Sequence, residues 1–186
     1  MSPPSFNFNV SYSEPVNGPG LEPVLTLDDV WQGISRGARR PQDMAPYVAD
    51  CQELPGGSAL KFSRKLIIGG DGAVHTEAGE PIVQDVILRP GLNVEAVTPD
   101  SGATTIFGMS LGTAEKVDES RPDIYFTGVY ELWIPGIQDG TKEAEEVRVK
   151  YGALARGATK DGVQTFRKWK VDGKLDEWRK MSNGSA

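Results

Sequence analysis

Thr141-Lys142-Glu143-Ala144-Glu145-Glu146-Val147-Arg148-Val149-Lys150-Tyr151-Gly152-Ala153-Leu154 opens the stretch on which the fold turns. The Thr141 hydroxyl suits an N-cap, and Glu143, Glu145 and Glu146 put negative charge where a helix dipole is positive. Apolar residues then recur as Val147, Tyr151, Leu154, Ala158, Val163, Phe166 and Trp169, three or four apart with one slip beside Gly162. The spacing predicts one long amphipathic terminal helix. Gly152, Gly157 and Gly162 each weaken it by about 1 kcal/mol relative to alanine without stopping it, and close packing or a bend would account for them. Residues 182–186 are expected to fray.

Upstream the period is two. Phe6-Asn7-Phe8-Asn9-Val10-Ser11-Tyr12 alternates apolar and polar residues, the mark of a half-buried strand. After a Pro-, Gly- and Asn-rich loop, Thr26 precedes Asp28 and Asp29, and Leu27, Val30, Trp31 and Ile34 keep helical spacing, which predicts a helix to Arg39. Pro41 to Val48 reads as a second short helix begun by its proline. Strands follow at Asp50–Leu54, Leu60–Ile68, Pro81–Leu88, Leu92–Val97, Thr104–Leu111 and Ile124–Trp133, with a hairpin at Arg89-Pro90-Gly91. The order is strand, two short helices, five or six antiparallel strands, one long helix: an α+β fold, with residues 1–186 read as a single domain. One helix laid across a curved sheet covers its face incompletely, and the enclosed apolar gap is a place for a small ligand.

Composition narrows the chemistry. One cysteine and one histidine exclude a disulfide framework and a Cys/His zinc site, and no cofactor fingerprint or calcium-loop spacing is present, so neither metal nor cofactor is expected. A formal charge of −6 argues against a dedicated nucleic-acid binder. The basic residues of 142–180 are interleaved with acids, as on a solvated helix face. No apolar run approaches the ~18 residues of a membrane span, and the start lacks a secretory or transit pattern, which points to the cytoplasm.

The candidate site residues come from strand faces. Arg64 is the polar member of the Phe62, Leu66, Ile68 face, a permanent cation able to hold a carboxylate or enolate by a forked pair of hydrogen bonds. The competing reading pairs it at the surface with Asp85 or Glu95. Gln84, on the face of Ile82, Val86 and Leu88, could donate or accept beside it. Tyr130 shares a face with Ile124, Phe126, Gly128 and Leu132 and brings a hydroxyl. Phe62, Leu66, Val86, Phe107, Phe126 and Phe166 are the expected ligand-contacting apolar residues, and ordinary core is the bland alternative for each. His75 falls in the Gly69–Gly79 segment and reads as a solvent-exposed loop histidine. Cys51 reads as a small buried residue, and Ser110 lacks a nucleophile elbow.

Three stretches carry a resemblance. Leu25-Thr26-Leu27-Asp28-Asp29-Val30-Trp31-Gln32-Gly33 with Arg40-Pro41-Gln42, Val83-Gln84-Asp85-Val86-Ile87-Leu88-Arg89-Pro90, and Tyr130-Glu131-Leu132-Trp133-Ile134-Pro135-Gly136-Ile137 running into Gly140-Thr141-Lys142-Glu143-Ala144 resemble the AtaL-like family of the START-like (SRPBCC, helix-grip) superfamily. The resemblance implies a curved antiparallel sheet gripping the long C-terminal helix around a cavity for a hydrophobic or aromatic small molecule. It also implies a setting in fungal-type natural-product biosynthesis. Two activities fit: a cofactor-independent cyclase or isomerase using Arg64, Gln84 and Tyr130, or a carrier that performs no chemistry. A partner-binding module using an exposed Trp178 or the basic helix is the third reading.

Overall fold

A computed structural model describes residues 5–69, 79–113 and 118–183. The alternating stretches form β1 (Ser5–Pro15), β2 (Val48–Glu53), β3 (Lys61–Ile68), β4 (Pro81–Arg89), β5 (Asn93–Val97), β6 (Thr104–Leu111) and β7 (Ile124–Pro135). They make one curved antiparallel sheet in the order β1-β7-β6-β5-β4-β3-β2. The helix expected after Thr26 is α1 (Leu27–Arg39), and the terminal stretch gives α2 (Lys142–Val171) and α3 (Lys174–Asn183).

Two expectations are corrected. The second short helix is only a 3-10 turn, Pro41–Asp43, and Val48 already belongs to β2. Pro46 explains the stop: it lacks an amide and disfavours helical backbone at Ala45. The terminal helix is two helices. It breaks at Asp172 and Gly173, the latter at φ 74°, a left-handed conformation that glycine adopts without strain. Residues 70–78, which include His75 and Asp71, and residues 115–117 of the Glu115–Arg121 loop lie outside the described residues.

Register fixes which side chains share the inner face. Arg64 stands opposite Gln84 and Phe62 opposite Val86, while Thr105 stands opposite Tyr130. Along β7, Ile124, Phe126, Gly128, Tyr130 and Leu132 are all buried, and the residues between them are exposed or half-buried. Helix α2 packs chiefly over β1 and β7, and α1 covers β5 and β6. Close approach needs glycine at particular points. A Cβ on Gly128 would lie 2.6 Å from Thr159 Oγ1, and one on Gly33 would lie 2.3 Å from the Phe166 ring. Gly162 is likewise pressed against Phe126, whereas a Cβ on Gly157 meets nothing within 4 Å.

The helices are tied by a buried carboxylate. Thr26 and Asp29 form a reciprocal capping box at the start of α1. Asp29, with no solvent exposure, also accepts from Lys170 Nζ at 3.0 Å and Arg179 Nη2 at 2.8 Å. Burial alone would raise its pKa; the Thr26 amide, Lys170 and Arg179 outweigh that and hold it below the ordinary carboxylate range. In α3, Trp178 is half-buried, edge-on to Trp169 at 5.1 Å with Arg36 over its ring at 4.8 Å. The expected exposed Trp178 is thus corrected: it is a packing residue.

Two stability measurements follow from this packing. In urea unfolding, Gly157→Ala should stabilise the protein by about 0.4–1 kcal/mol, whereas Gly33→Ala should destabilise it by about 1–3 kcal/mol by overpacking Phe166. Asp29 contributes stability that is present above its unfolded pKa and lost as pH falls through the lower folded value. Asp29→Asn should therefore lower stability at pH 7 and flatten its loss on acidification below about pH 4. An unchanged acid limb would remove Asp29 from that role.

Candidate functional site: a cavity with a buried cation

On the β2–β4 side, the sheet and α2 stand apart around a cavity of about 140 Å³. Its sheet wall is Arg64, Leu66 and Ile68 of β3, Ile82 and Gln84 of β4, Thr105 and Phe107 of β6, and Phe126 and Tyr130 of β7. Tyr151, Leu154, Ala155 and Ala158 of α2 form a second wall. The roof is the end of α1 with the Pro41–Val48 segment, including Met44 and Tyr47. Apolar cavities of about 150 Å³ accept a benzene ring, so this one has the size of a single ring.

Arg64 is 8% exposed and charged. Its Nε and Nη2 both donate to Gln84 Oε1, at 3.1 and 2.8 Å, and Gln84 Nε2 donates onward to Thr98 Oγ1 at 3.3 Å. Nη1 donates to the carbonyl of Ala38 and, at 3.5 Å, to that of Gly37. Those carbonyls end α1, where the helix has unpaired acceptors and a partial negative charge. Among the described residues no carboxylate lies within ion-pair distance of Arg64. Asp85 instead accepts from Ser63 at 2.6 Å, and Glu95 pairs with Arg89 at 3.1 Å. The surface-pairing alternative for Arg64 is therefore excluded with respect to both acids. The Nε and Nη2 donors that could form a fork on a ligand carboxylate or enolate oxygen both donate to Gln84 Oε1 here. Burial lowers the Arg64 pKa to about 10, so the cation persists at neutral pH.

The hydroxyls around it are neutral donors or acceptors. Burial raises the pKa of Tyr47, Tyr130 and Tyr151, with the Arg64 charge opposing the rise at Tyr47. Thr159 Oγ1 donates to the Ala155 carbonyl at 3.0 Å, so in its 3.4 Å contact with Tyr130 the tyrosine is the donor. Tyr130 thus offers the cavity lone pairs and an aromatic face. The Tyr151 hydroxyl bonds with Thr105. Ring contacts knit the apolar wall: Phe107 stacks on Phe126 at 5.4 Å and meets the Tyr130 edge at 5.8 Å.

Of the residues expected from sequence, Arg64, Gln84, Tyr130, Leu66, Phe107 and Phe126 are brought together on this cavity. Phe62, Val86 and Phe166 are on the inner side of the fold but lie in the packed core beyond it. Phe62 supports Arg39, 4.4 Å above its ring, and Phe166 packs against Phe126 and Trp169. Tyr47, Met44 and Thr105 were not anticipated. Tyr151, Leu154 and Ala158 were visible as the apolar stripe of the terminal helix, though not as cavity wall. Burial raises the Cys51 thiol pKa, and its Sγ contacts the Arg39 carbonyl at 3.4 Å. Among the described residues no group of three His, Cys, Asp or Glu side chains could hold a metal, and no helix is long and apolar enough to cross a membrane.

These features define an α+β protein, a seven-stranded curved antiparallel sheet with a long C-terminal helix, whose interior is a small cavity walled partly by aromatic rings and by the Arg64 cation. Its fold is shared, at 8% identity, with a protein of unknown function from Staphylococcus aureus (SA2116; TM-score 0.54, covering 90% of this chain and 98% of the other). The protein XoxI from Bacillus cereus is similar in the same way, at 14% identity and TM-score 0.51, covering 88% and 96%. The chain belongs to the family described as acetylaranotin biosynthesis cluster protein L (AtaL), whose sequence model matches residues 10–173. It is 38% identical over 177 residues to the acetylaranotin biosynthesis cluster protein L of Aspergillus terreus (strain NIH 2624 / FGSC A1156), covering 95% of this chain and 98% of that one.

The pairing of Arg64 with Gln84 makes a double-mutant prediction. Gln84→Leu alone strands two guanidinium N–H groups in the interior and should cost about 1.5–3 kcal/mol. Adding Arg64→Met removes the stranded charge, and the double variant should be more stable than Gln84→Leu in urea unfolding. Additive losses would contradict the pairing.

Proposed function

We propose that the protein binds a hydrophobic or aromatic small molecule in this cavity and acts in natural-product biosynthesis as a cofactor-independent cyclase or isomerase. The observation that carries the reading is Arg64: a cation kept inside an aromatic wall with no carboxylate partner among the described residues. A buried charge that folding does not neutralise costs stability unless something else uses it. The AtaL relative's name, that of a biosynthesis cluster protein, supports the natural-product setting.

The chemistry follows from the roles available. Arg64 polarises a carbonyl or stabilises an oxyanion that develops on the substrate, in a site where water is scarce and the interaction is strong. Gln84 positions Arg64 through the two bonds to its Oε1. Phe107, Phe126 and Tyr130 hold the substrate in a reactive shape, which raises the rate by orienting reacting atoms within one molecule. Cyclisation by orientation and electrophilic activation fits these groups better than base catalysis.

One observation favours the alternative of a carrier without chemistry. No lining residue among those described titrates near neutral pH: Arg64 sits at about 10, and the three tyrosines lie above their ordinary range. Native mass spectrometry of protein purified from a producing host should detect a ring-bearing small molecule on the wild type and lose it in Arg64→Met/Gln84→Leu. Incubation of that molecule's linear or isomeric precursor with wild-type protein should then yield a product of identical mass. Recovery of an unaltered precursor establishes the carrier, and absence of any bound molecule contradicts both readings.

A further inference from the structure

Two glycines on two different helices face the same side chain. Met44 follows the Pro41–Asp43 turn and is half-buried on the cavity wall, where Gly37 of α1 is also found. A Cβ on Gly37 would overlap Met44 Sδ and come within 3.5 Å of both its Cγ and its Cε. From α2, a Cβ on Gly162 would stand 3.3 Å from the same Cε. The thioether therefore occupies a slot that exists because both helices lack a side chain there. Gly162 lies one turn beyond Ala158 of the cavity wall, and its Cβ would be 2.8 Å from the wall residue Phe126, so this slot closes the cavity where α1 and α2 meet.

We infer that Met44, seated against Gly37 and Gly162, is the residue that limits the cavity to single-ring ligands and so determines specificity by size. This rests on the reading of the cavity as a site for a small hydrophobic molecule and adds what sets its upper limit. The rest of the wall is held more firmly. Phe107 stacks on Phe126 in paired strands, and the Tyr130 and Tyr151 hydroxyls are hydrogen-bonded. Met44 stands on an irregular segment, and its unbranched thioether, with three rotatable bonds, fills gaps of uneven shape. The cavity matches one benzene-sized ring. A second fused ring adds four carbons, and Met44 carries three heavy atoms beyond Cβ, close to the room required. Space left by a shortened side chain stays open where its surroundings cannot collapse into it. Here the flanking glycines have no side chains to move in. Gly37 is the other half of the arrangement: in Gly37→Ala the added methyl displaces the thioether, and the cavity is the unfilled space beside it.

Two hydrocarbons test it by calorimetry, with protein titrated into dissolved toluene or naphthalene and urea unfolding used to verify that each variant is folded. The wild type should bind toluene about tenfold or more tightly than naphthalene, since the second ring overpacks the slot. Met44→Ala should bind naphthalene about tenfold more tightly than the wild type does and toluene within about threefold of it. Gly37→Ala should weaken toluene about tenfold, and Gly37→Ala/Met44→Ala should recover it, because the atoms that the new methyl displaces are gone. Naphthalene binding to the wild type as tightly as toluene, or an unchanged naphthalene affinity in Met44→Ala, overturns the size limit and leaves the ring site standing. A toluene loss in Gly37→Ala that persists in the double variant likewise overturns the role of Met44. If neither hydrocarbon binds the wild type or any variant, the ring-site reading fails and takes this inference with it.

Discussion

A guanidinium inside an aromatic wall is the constraint around which the rest of this protein is arranged. Arg64 is not neutralised by an acid among the described residues; it is held by neutral oxygens. Gln84 stands directly opposite it in the β3–β4 register, so the amide oxygen reaches two donors without distorting either strand. The last carbonyls of α1 supply the remainder, and the negative end of a helix dipole is a diffuse counter-charge. Such a setting keeps the cation fixed and charged while leaving its field directed into the cavity. An acid at the Gln84 position would cancel that field.

The cavity exists because three covering pieces divide the sheet unevenly. Helix α2 is drawn close to β7 at Gly128, where Thr159 takes the space of a missing Cβ, and at Gly162 beside Phe126. That intimate contact, together with packing over β1, commits the helix to one side of the sheet. On the β3–β4 side the cover is the end of α1 and a segment that Pro46 prevents from continuing as helix. A longer helix there would place regular side chains over Arg64. The irregular segment contributes Met44 and Tyr47 instead and leaves ring-sized space. The Asp29 network with Lys170 and Arg179 then fixes the start of α1 to the end of α2 and to α3, so the roof is anchored at its far end.

Much of this was legible in the sequence, and the boundary of legibility has a physical cause. Alternation in β3, β4 and β7 determines which face a residue occupies, which is why Arg64, Gln84 and Tyr130 were found together. Alternation does not tell how far along a strand the cavity extends. Phe62, Val86 and Phe166 were expected at the ligand for that reason, although they pack in the core beyond the cavity. Tyr151, Leu154 and Ala158 fell on the helix stripe, where core and cavity wall have the same pattern. Tyr47 was missed because its segment was read as a short helix, whereas only Pro41–Asp43 is helical and the position of Tyr47 depends on tertiary packing. The helix break at Gly173 was hidden by apolar residues on both sides. The pairing of Arg64 with Gln84 depended on register across two strands, which no single strand reveals.

The central claim, an accessible hollow between the helix and the β3–β4 side of the sheet, is tested most directly by diffraction from a crystal pressurised with xenon. Xenon enters apolar cavities of this size without requiring any particular chemistry of them. The account predicts an interior xenon peak bounded by Leu66, Phe107, Tyr130 and Leu154. An interior filled by side chains, with no xenon peak within contact distance of those four residues, would contradict it.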